Sequence, residues 1–470
     1  MKSVGALPQV RLSINGEAIG AADAAALAGV RVQQRLCLPA VCELTFSLRA
    51  PAIERGAALE LRVEDDALLF AGEVTGIEYA SRTQTGRVVR VRAYDALHKL
   101  RRNQPVKAHT NFTAASLARE LTQLEVDALD EGRTIARWVQ HRQDDLEFLT
   151  EVCARSGLYF VVHDGVLRLF RLVAGESLGL ELGKTLYEAR VDMSEPLVRS
   201  VAVRGWDPRH IATIDGGSDT GEAGRTLTDE VLADATHAEE VAGAELARRE
   251  FSTTNVWGLA VGNAELRPGV SVSVDGVAPE TCTVILTSVD HTIQRTTGFR
   301  SEISNPLPQL QRRKRGTVAT LGIVNSTDDP EKLGRVQLVL PAYGGVETEW
   351  LPVAAAGAGA SKGFIAIPDV DDHVLVLFPR GEAAQGIVIG SLFGDAHPDA
   401  CVQRFTFLTR NGQRLQLDDT RDAVRIENKA GSFVELTPEL MQLHAATDLD
   451  ISAPGRKVTI RGKKIDFRRA

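Results

Sequence analysis

The sequence predicts a mainly β protein with a few helices, divided into several domains and ending in a β-helix. Three observations predict this class. Short Val- and Leu-rich segments with two-residue alternation recur along the chain, bounded by Gly, Asp and Asn. The length of 470 residues exceeds what one hydrophobic core accommodates. The last stretch repeats a very short strand pattern, the mark of a solenoid or β-helix.

The first hundred residues read as strands with one wet face, as in Cys42-Glu43-Leu44-Thr45-Phe46-Ser47-Leu48 and Val88-Val89-Arg90-Val91-Arg92-Ala93. A helical segment at about 105–160 follows. Thr113 caps a first helix with Leu117, Leu121 and Leu124 on its apolar side. Asp144 and Glu147 form a capping box for a second, and Gly157 stands where that helix should stop. Asp164-Gly165 between two apolar runs, Leu158 to Val162 and Val166 to Phe170, signals a tight hairpin. Strands resume at Val198, residues 207–230 read as an exposed polar loop, and a third helix is expected over about 235–250. Strand patterns on both sides of the helical segment support a division into two halves. The run Arg312-Arg313-Lys314-Arg315 reads as a solvated linker at a domain boundary. The expected domains are therefore 1–310, 311–395 and 396–470.

The final stretch carries the pairs Leu415/Leu417, Val424/Ile426, Val434/Leu436, Met441/Leu443, Leu449/Ile451, Val458/Ile460 and Ile465/Phe467. They recur every eight or nine residues on average, with Asp, Gly, Asn or Pro between. Strands with two inward apolar residues each cannot enclose a core alone, and their edges would stay unpaired. Three copies wound about a common axis solve both problems, with apolar pairs inward and neighbouring strands supplied by other chains. The expected core of this trimeric β-helix is Leu415, Leu417, Val424, Ile426, Val434, Leu436, Met441, Leu443, Leu449, Ile451, Val458 and Ile460.

Composition narrows the function. The formal net charge of −8 gives no bulk attraction to nucleic acid. The amino-terminal residues lack the apolar core of a signal peptide, and no apolar run is long enough to span a bilayer. Synthesis in the cytoplasm without a signal peptide is expected. Five scattered cysteines give no disulfide framework. The sequence contains no CxxC, HExxH, GxSxG or P-loop string. Asp144-Asp145 and Asp328-Asp329 fit caps and turns better than acid–base work, because adjacent carboxylates do not face one another on a helix. No catalytic residue, metal ligand or cofactor is expected.

The segment Asn325-Ser326-Thr327-Asp328-Asp329-Pro330-Glu331-Lys332-Leu333-Gly334-Arg335-Val336 resembles the opening of the OB-fold domain of VgrG proteins and phage baseplate spikes. The likeness continues through Trp350, Lys362-Gly363-Phe364, Pro368, Val374 to Phe378 and Gly390-Ser391. Gln140 to Phe160, around Asp144-Asp145-Leu146-Glu147-Phe148-Leu149, resembles the hub of the same family. The resemblance implies a tail-hub domain of two related barrel-type halves, an OB-fold collar and a β-helical needle in a contractile injection system. The chain would then be a homotrimeric structural spike that nucleates baseplate and tube assembly and punctures a membrane, meeting that membrane only during injection. Implied partners are a hexameric inner tube protein, baseplate proteins and a PAAR-type tip protein docked on Ile465 and Phe467; no nucleic acid is implied. The short length favours an extracellular, phage-tail-like particle. The competing reading is a cell-wall hydrolase on a tail-like scaffold. A third is a nucleic-acid-binding OB protein, with Trp350 as a stacking platform.

Overall fold

The computed structural model describes residues 9–47, 50–64, 66–82, 86–207, 211–217, 224–232, 234–308, 316–359, 362–379, 386–394 and 405–468. The Arg312–Arg315 run and Cys401 lie outside the described residues. The chain falls into two compact units, 1–391 and 392–470.

The first unit is organised on an 11-stranded sheet. From one edge its strands are Leu186–Met193, Thr254–Val261, Gly298–Ser304, Ser288–Gln294, Leu27–Arg35, Val41–Ser47, Gly86–Tyr94, Ala67–Arg82, Ala58–Val63, Val10–Ile14 and Glu17–Ala18. Alternation explains the layering. Val32, Leu44, Phe46, Leu61 and Val91 are buried, while Arg31, Glu43, Arg90 and Arg92 point away and pair across strands (Arg92 with Glu43, Arg90 with Glu78, Arg31 with Asp290). Two stretches far apart in sequence meet in the middle. Leu27–Arg35 pairs antiparallel with Ser288–Gln294, with Val32 opposite His291. Among the described residues this sheet runs open from edge to edge and closes no barrel, because the strands available to close each half pair with the other half instead.

Two insertions decorate the sheet. In the first, Thr113 caps the Ala114–Leu121 helix and Asp144 caps the Asp145–Arg155 helix, each through a complete capping box. Glu147 N–H donates to Asp144 Oδ1 at 2.8 Å, and Gly157 follows at φ +68°, as the stop signal requires. The hairpin Tyr159–His163/Val166–Phe170 turns on Asp164 and Gly165, both at positive φ. In the second, residues 207–230 are not a loop throughout. Ala212–Gly217 and Gly224–Val231 flank Ser200–Asp207 in a three-stranded sheet covered by the Ala235–Phe251 helix. The helix lies so close that a Cβ on Gly216 would stand 2.4 Å from that of Ala238.

Residues 318–391 form a separate five-stranded antiparallel sheet in the order Val346–Glu347, Gln337–Leu340, Val318–Ser326, His373–Phe378, Ile387–Ser391. Its two sides are linked through 351–354: Leu351 exchanges backbone hydrogen bonds with Val336, and Val388 with Pro352 and Ala354. The core is Val324, Val336, Leu338, Leu340, Leu351, Val374, Val376, Phe378 and Val388, joined by Val139 from the first insertion.

In the second unit, Phe405–Leu408, Arg414–Asp418, Ala423–Glu427, Phe433–Leu436 and Met441–His444 form one antiparallel meander within a single chain. The expectation is of neighbouring strands supplied by other chains; here each strand already has a neighbour within its own chain. The connections are tight turns with Gly412, Asp422 and Gly431 at positive φ, short enough for each strand to fold back on the last. No strand is assigned over residues 445–468.

Candidate functional site: a stapled loop and an uncovered apolar ladder

The loop from Asp329 to Val336 is built round one ion pair. Arg335 and Asp329 are both buried, and the guanidinium grips the carboxylate at two points, Nη2 to Oδ1 at 2.6 Å and Nε to Oδ2 at 3.0 Å. The same carboxylate accepts from the backbone N–H of Glu331 at 3.1 Å, Leu333 at 2.8 Å and Arg335 at 3.3 Å. The Arg335 guanidinium, helped by those N–H groups, holds the Asp329 carboxyl well below the usual carboxylate range, against the opposing effect of burial. Asp329 in turn raises Arg335. Pro330 is exposed at the loop tip, and Gly334 at φ +74° turns the chain back toward Val336, which is fully buried. With its acceptors turned on the loop's own donors, Asp329 acts as a staple and is not free to move a proton.

The other motif residues spread round the same sheet. Trp350 is half-buried beside Leu351, Pro368 is buried, and Gly390 and Ser391 end the last strand. Gly363 takes φ +145° before Phe364, which is 49% exposed. Contacts from the first insertion were not legible in the sequence. Val139 enters this core, the His141 ring meets Tyr343 edge-on with centroids 5.2 Å apart, and Arg137 donates to the Glu347 carbonyl. They join segments some two hundred residues apart, which no local pattern signals.

In the second unit, strand register assembles the sequence pairs into one surface. Leu415 lies opposite Ile426, and Leu417 opposite Val424. Val424 then faces Leu436 and Ile426 faces Val434, and on the next strand Val434 faces Leu443 and Leu436 faces Met441. Phe405 and Phe407 extend this ladder opposite Leu417 and Leu415. These two aromatics carry the same alternation one period earlier, the signal by which they could have been included. The opposite side of the sheet is polar yet better covered. Gln416 and Asp418 are buried, and Arg425 pairs with Glu427 at 3.1 Å while stacking on Phe433 at 3.9 Å. The apolar side lies open: Ile426 is 54% exposed and Met441 69%. Leu449, Ile451, Val458, Ile460, Ile465 and Phe467 are also exposed, outside any assigned strand.

Among the described residues no group of three or more His, Cys, Asp or Glu is placed to hold a metal ion. The described cysteines are buried, and burial pushes the Cys37 thiol up to about 12, away from nucleophilic use. No helix of the described residues is long and apolar enough to cross a membrane.

Residues 320–393 match the family model of the type VI secretion system/phage-baseplate injector OB domain. No curated protein matches the chain in sequence. Among solved structures, the chain is similar to an Escherichia coli component of the type VI secretion system, itself described as structurally similar to the T4 bacteriophage tail proteins gp27 and gp5. That likeness has a TM-score of 0.56 at 15% identity and covers 81% of this chain and 99% of that one. A second similar structure is the 43 kDa tail protein of prophage MuSo2 from Shewanella oneidensis, with a TM-score of 0.50 at 14% identity, covering 64% of this chain and 99% of that one. At these identities the structural likeness is one of fold. Residues 320–393 thus match an injector OB domain, and the fold of the chain is shared with phage-tail and type VI secretion proteins, consistent with a VgrG-like baseplate spike.

Proposed function

We propose that the chain is the hub and spike of a contractile injection machine, acting as a homotrimer that nucleates baseplate and tube assembly and pierces a membrane, with no catalytic step of its own. The observation that carries this reading is the uncovered ladder from Phe405 to Leu443. An apolar sheet face backed by a polar one is stable in water only when another surface covers it. The covering surface is the same face of two further copies, because the ladder is nearly free of charge and each copy brings an identical one. Full burial of a leucine-sized side chain stabilises by about 1.5–3 kcal/mol, and ten such side chains per copy are available on the ladder.

The division into hub 1–310, collar 311–395 and needle 396–470 follows from this reading. The hub receives a hexameric inner tube protein. Support for that match is the division of the sheet at the seam between Leu27–Arg35 and Ser288–Gln294, which gives each copy two strand groups and three copies six. A PAAR-type tip protein covers Ile465 and Phe467, which are 47% and 90% exposed. The particle is assembled in the cytoplasm, and the needle meets the target membrane only on firing. Electron microscopy of the purified full chain tests the reading. It should show an elongated three-fold particle with a pseudo-six-fold face at one end. A two-fold or single-copy particle would contradict it.

A further inference from the structure

The second insertion gathers a cluster of arginines around a single acid. On the Ala235–Phe251 helix, Glu245, Arg248 and Arg249 stand three and four residues apart, so they share one face. On the strand Gly224–Val231, Arg225 lies opposite Val201 and two residues before Leu227, on the side of the sheet that the helix covers. The four side chains meet. Glu245 is buried, and its carboxylate accepts from Arg249 Nε at 3.1 Å. Arg225 Nε and Arg248 Nη1 approach that carboxylate only to 3.8 Å, too far for a hydrogen bond. Arg248 Nε is a buried donor with no acceptor among the described residues. Beside Arg248 stands Tyr159 of the first insertion. Burial pushes its hydroxyl up while Arg248 pulls the other way, so Tyr159 stays neutral and keeps its O–H.

We infer that these groups form a binding site for a small polyvalent oxyanion of the phosphate class. Charge and donor geometry together select that ligand. Three guanidiniums surround one carboxylate, and the carboxyl end of the helix, where Arg248 and Arg249 lie, offsets only about half a charge more. More than one positive charge remains, which a singly charged ion leaves partly uncompensated and a dianion does not. Guanidinium forks match the spacing of phosphate oxygens and hold them by paired hydrogen bonds. The site is recessed. Glu245 lies at its floor and Arg248 is mostly covered, whereas Arg225 and Arg249 reach solvent at its rim. That shape suits a free ion. Once bound, the ion joins the strand to the helix through Arg225, whose side chain makes no hydrogen bond of its own among the described residues. The site stands apart from the needle and does not depend on how many copies assemble.

The test is calorimetric titration of the full chain with inorganic phosphate at about pH 8, where the ion is doubly charged. Sodium chloride holds the ionic strength constant. The wild type should bind one ion per chain and saturate. Arg225→Gln should weaken that binding at least tenfold, and Arg90→Gln, on the 11-stranded sheet, should leave it unchanged. Because Arg225 adds to the surplus charge, Arg225→Gln should keep the wild-type urea midpoint in chloride and lose only the rise that phosphate gives the wild type. Binding that never saturates, or that Arg225→Gln leaves unchanged, would overturn the site. A midpoint that Arg225→Gln lowers equally in chloride and in phosphate would make Arg225 a structural partner of Glu245 and would overturn it as well.

Discussion

Three buried titratable side chains define how single residues hold the first unit together. Asp329 and Arg335 are paired and buried, so removing one leaves the other charge without a partner. Breaking such a pair costs about 3–5 kcal/mol, and Asp329→Ala should lower the stability of the 318–391 domain by that order in urea unfolding. Because the Asp329 carboxyl titrates far below its ordinary value, its contribution is complete above about pH 4 and fades only as pH falls through its folded pKa. His291 and Asp95 act in opposite directions in the same unit. Burial pushes the His291 imidazole down to about 4, with Nδ1 2.8 Å from Ser301 Oγ. Its contribution is full above about pH 6.5, where the unfolded chain is also neutral, and is lost as pH falls toward 4. Burial pushes the Asp95 carboxyl up to about 7, against the pull of the Ala40 and Leu97 N–H donors at 2.9 and 3.0 Å. Its contribution is full below about pH 4 and is lost as pH rises toward 7. Relative to wild type, His291→Gln should therefore gain stability on moving from pH 7 to pH 5, and Asp95→Asn should lose it. Urea midpoints at the two pH values measure both, and equal shifts in wild type and variants would refute the assignment.

Among the elements, those with local punctuation were legible and those held by distant contacts were not. Thr113, Asp144, Asp164 and Gly157 each set a boundary through their own backbone chemistry, and the corresponding helices and hairpin stand where the sequence put them. Asp144→Ala should cost about 1 kcal/mol, seen as a lowered midpoint of thermal unfolding, since the Glu147 N–H then loses its partner. The strands Ala212–Gly217 and Gly224–Val231 escaped because neither alternates cleanly. Their partner, Ser200–Asp207, recruits the second of them in parallel, and Leu227, Val201 and Val203 are buried in one cluster with Ala238 and Ala242 of the helix Ala235–Phe251. The seam between Leu27–Arg35 and Ser288–Gln294 was equally hidden, since its two strands lie far apart in the sequence. In the terminal unit the two-residue period revealed which side chains share a face, but not that the strands from Phe405 to His444 would pair within one chain. Period fixes the face of a strand, whereas the choice of neighbour depends on turn length and on what else is present.

For the whole molecule, the OB motif was legible because it packs several constrained positions into one loop. The ion pair, Gly334 at positive φ and the buried Val336 all fall within eight residues. Of the proposed assembly the sequence carries only a deficiency, an apolar face without a cover. If Ile465 and Phe467 seat a tip protein, Phe467→Asp should abolish co-purification of a PAAR-type partner while leaving the particle's mass unchanged, and equal recovery would refute that seat. The central claim is that three chains bury the Phe405–Leu443 ladder against one another. Ile426 sits in the middle of it, with Leu415 on one neighbouring strand and Val434 on the other. An aspartate there would bring three carboxylates together in an apolar interior, at a cost of several kcal/mol per charge. Light scattering on the wild type and on Ile426→Asp is the most direct measurement. The account predicts a mass of three chains for the wild type at micromolar concentration and of one chain for the variant, with the hub still folded. A wild type of one-chain mass, or a variant that remains three chains, would contradict it.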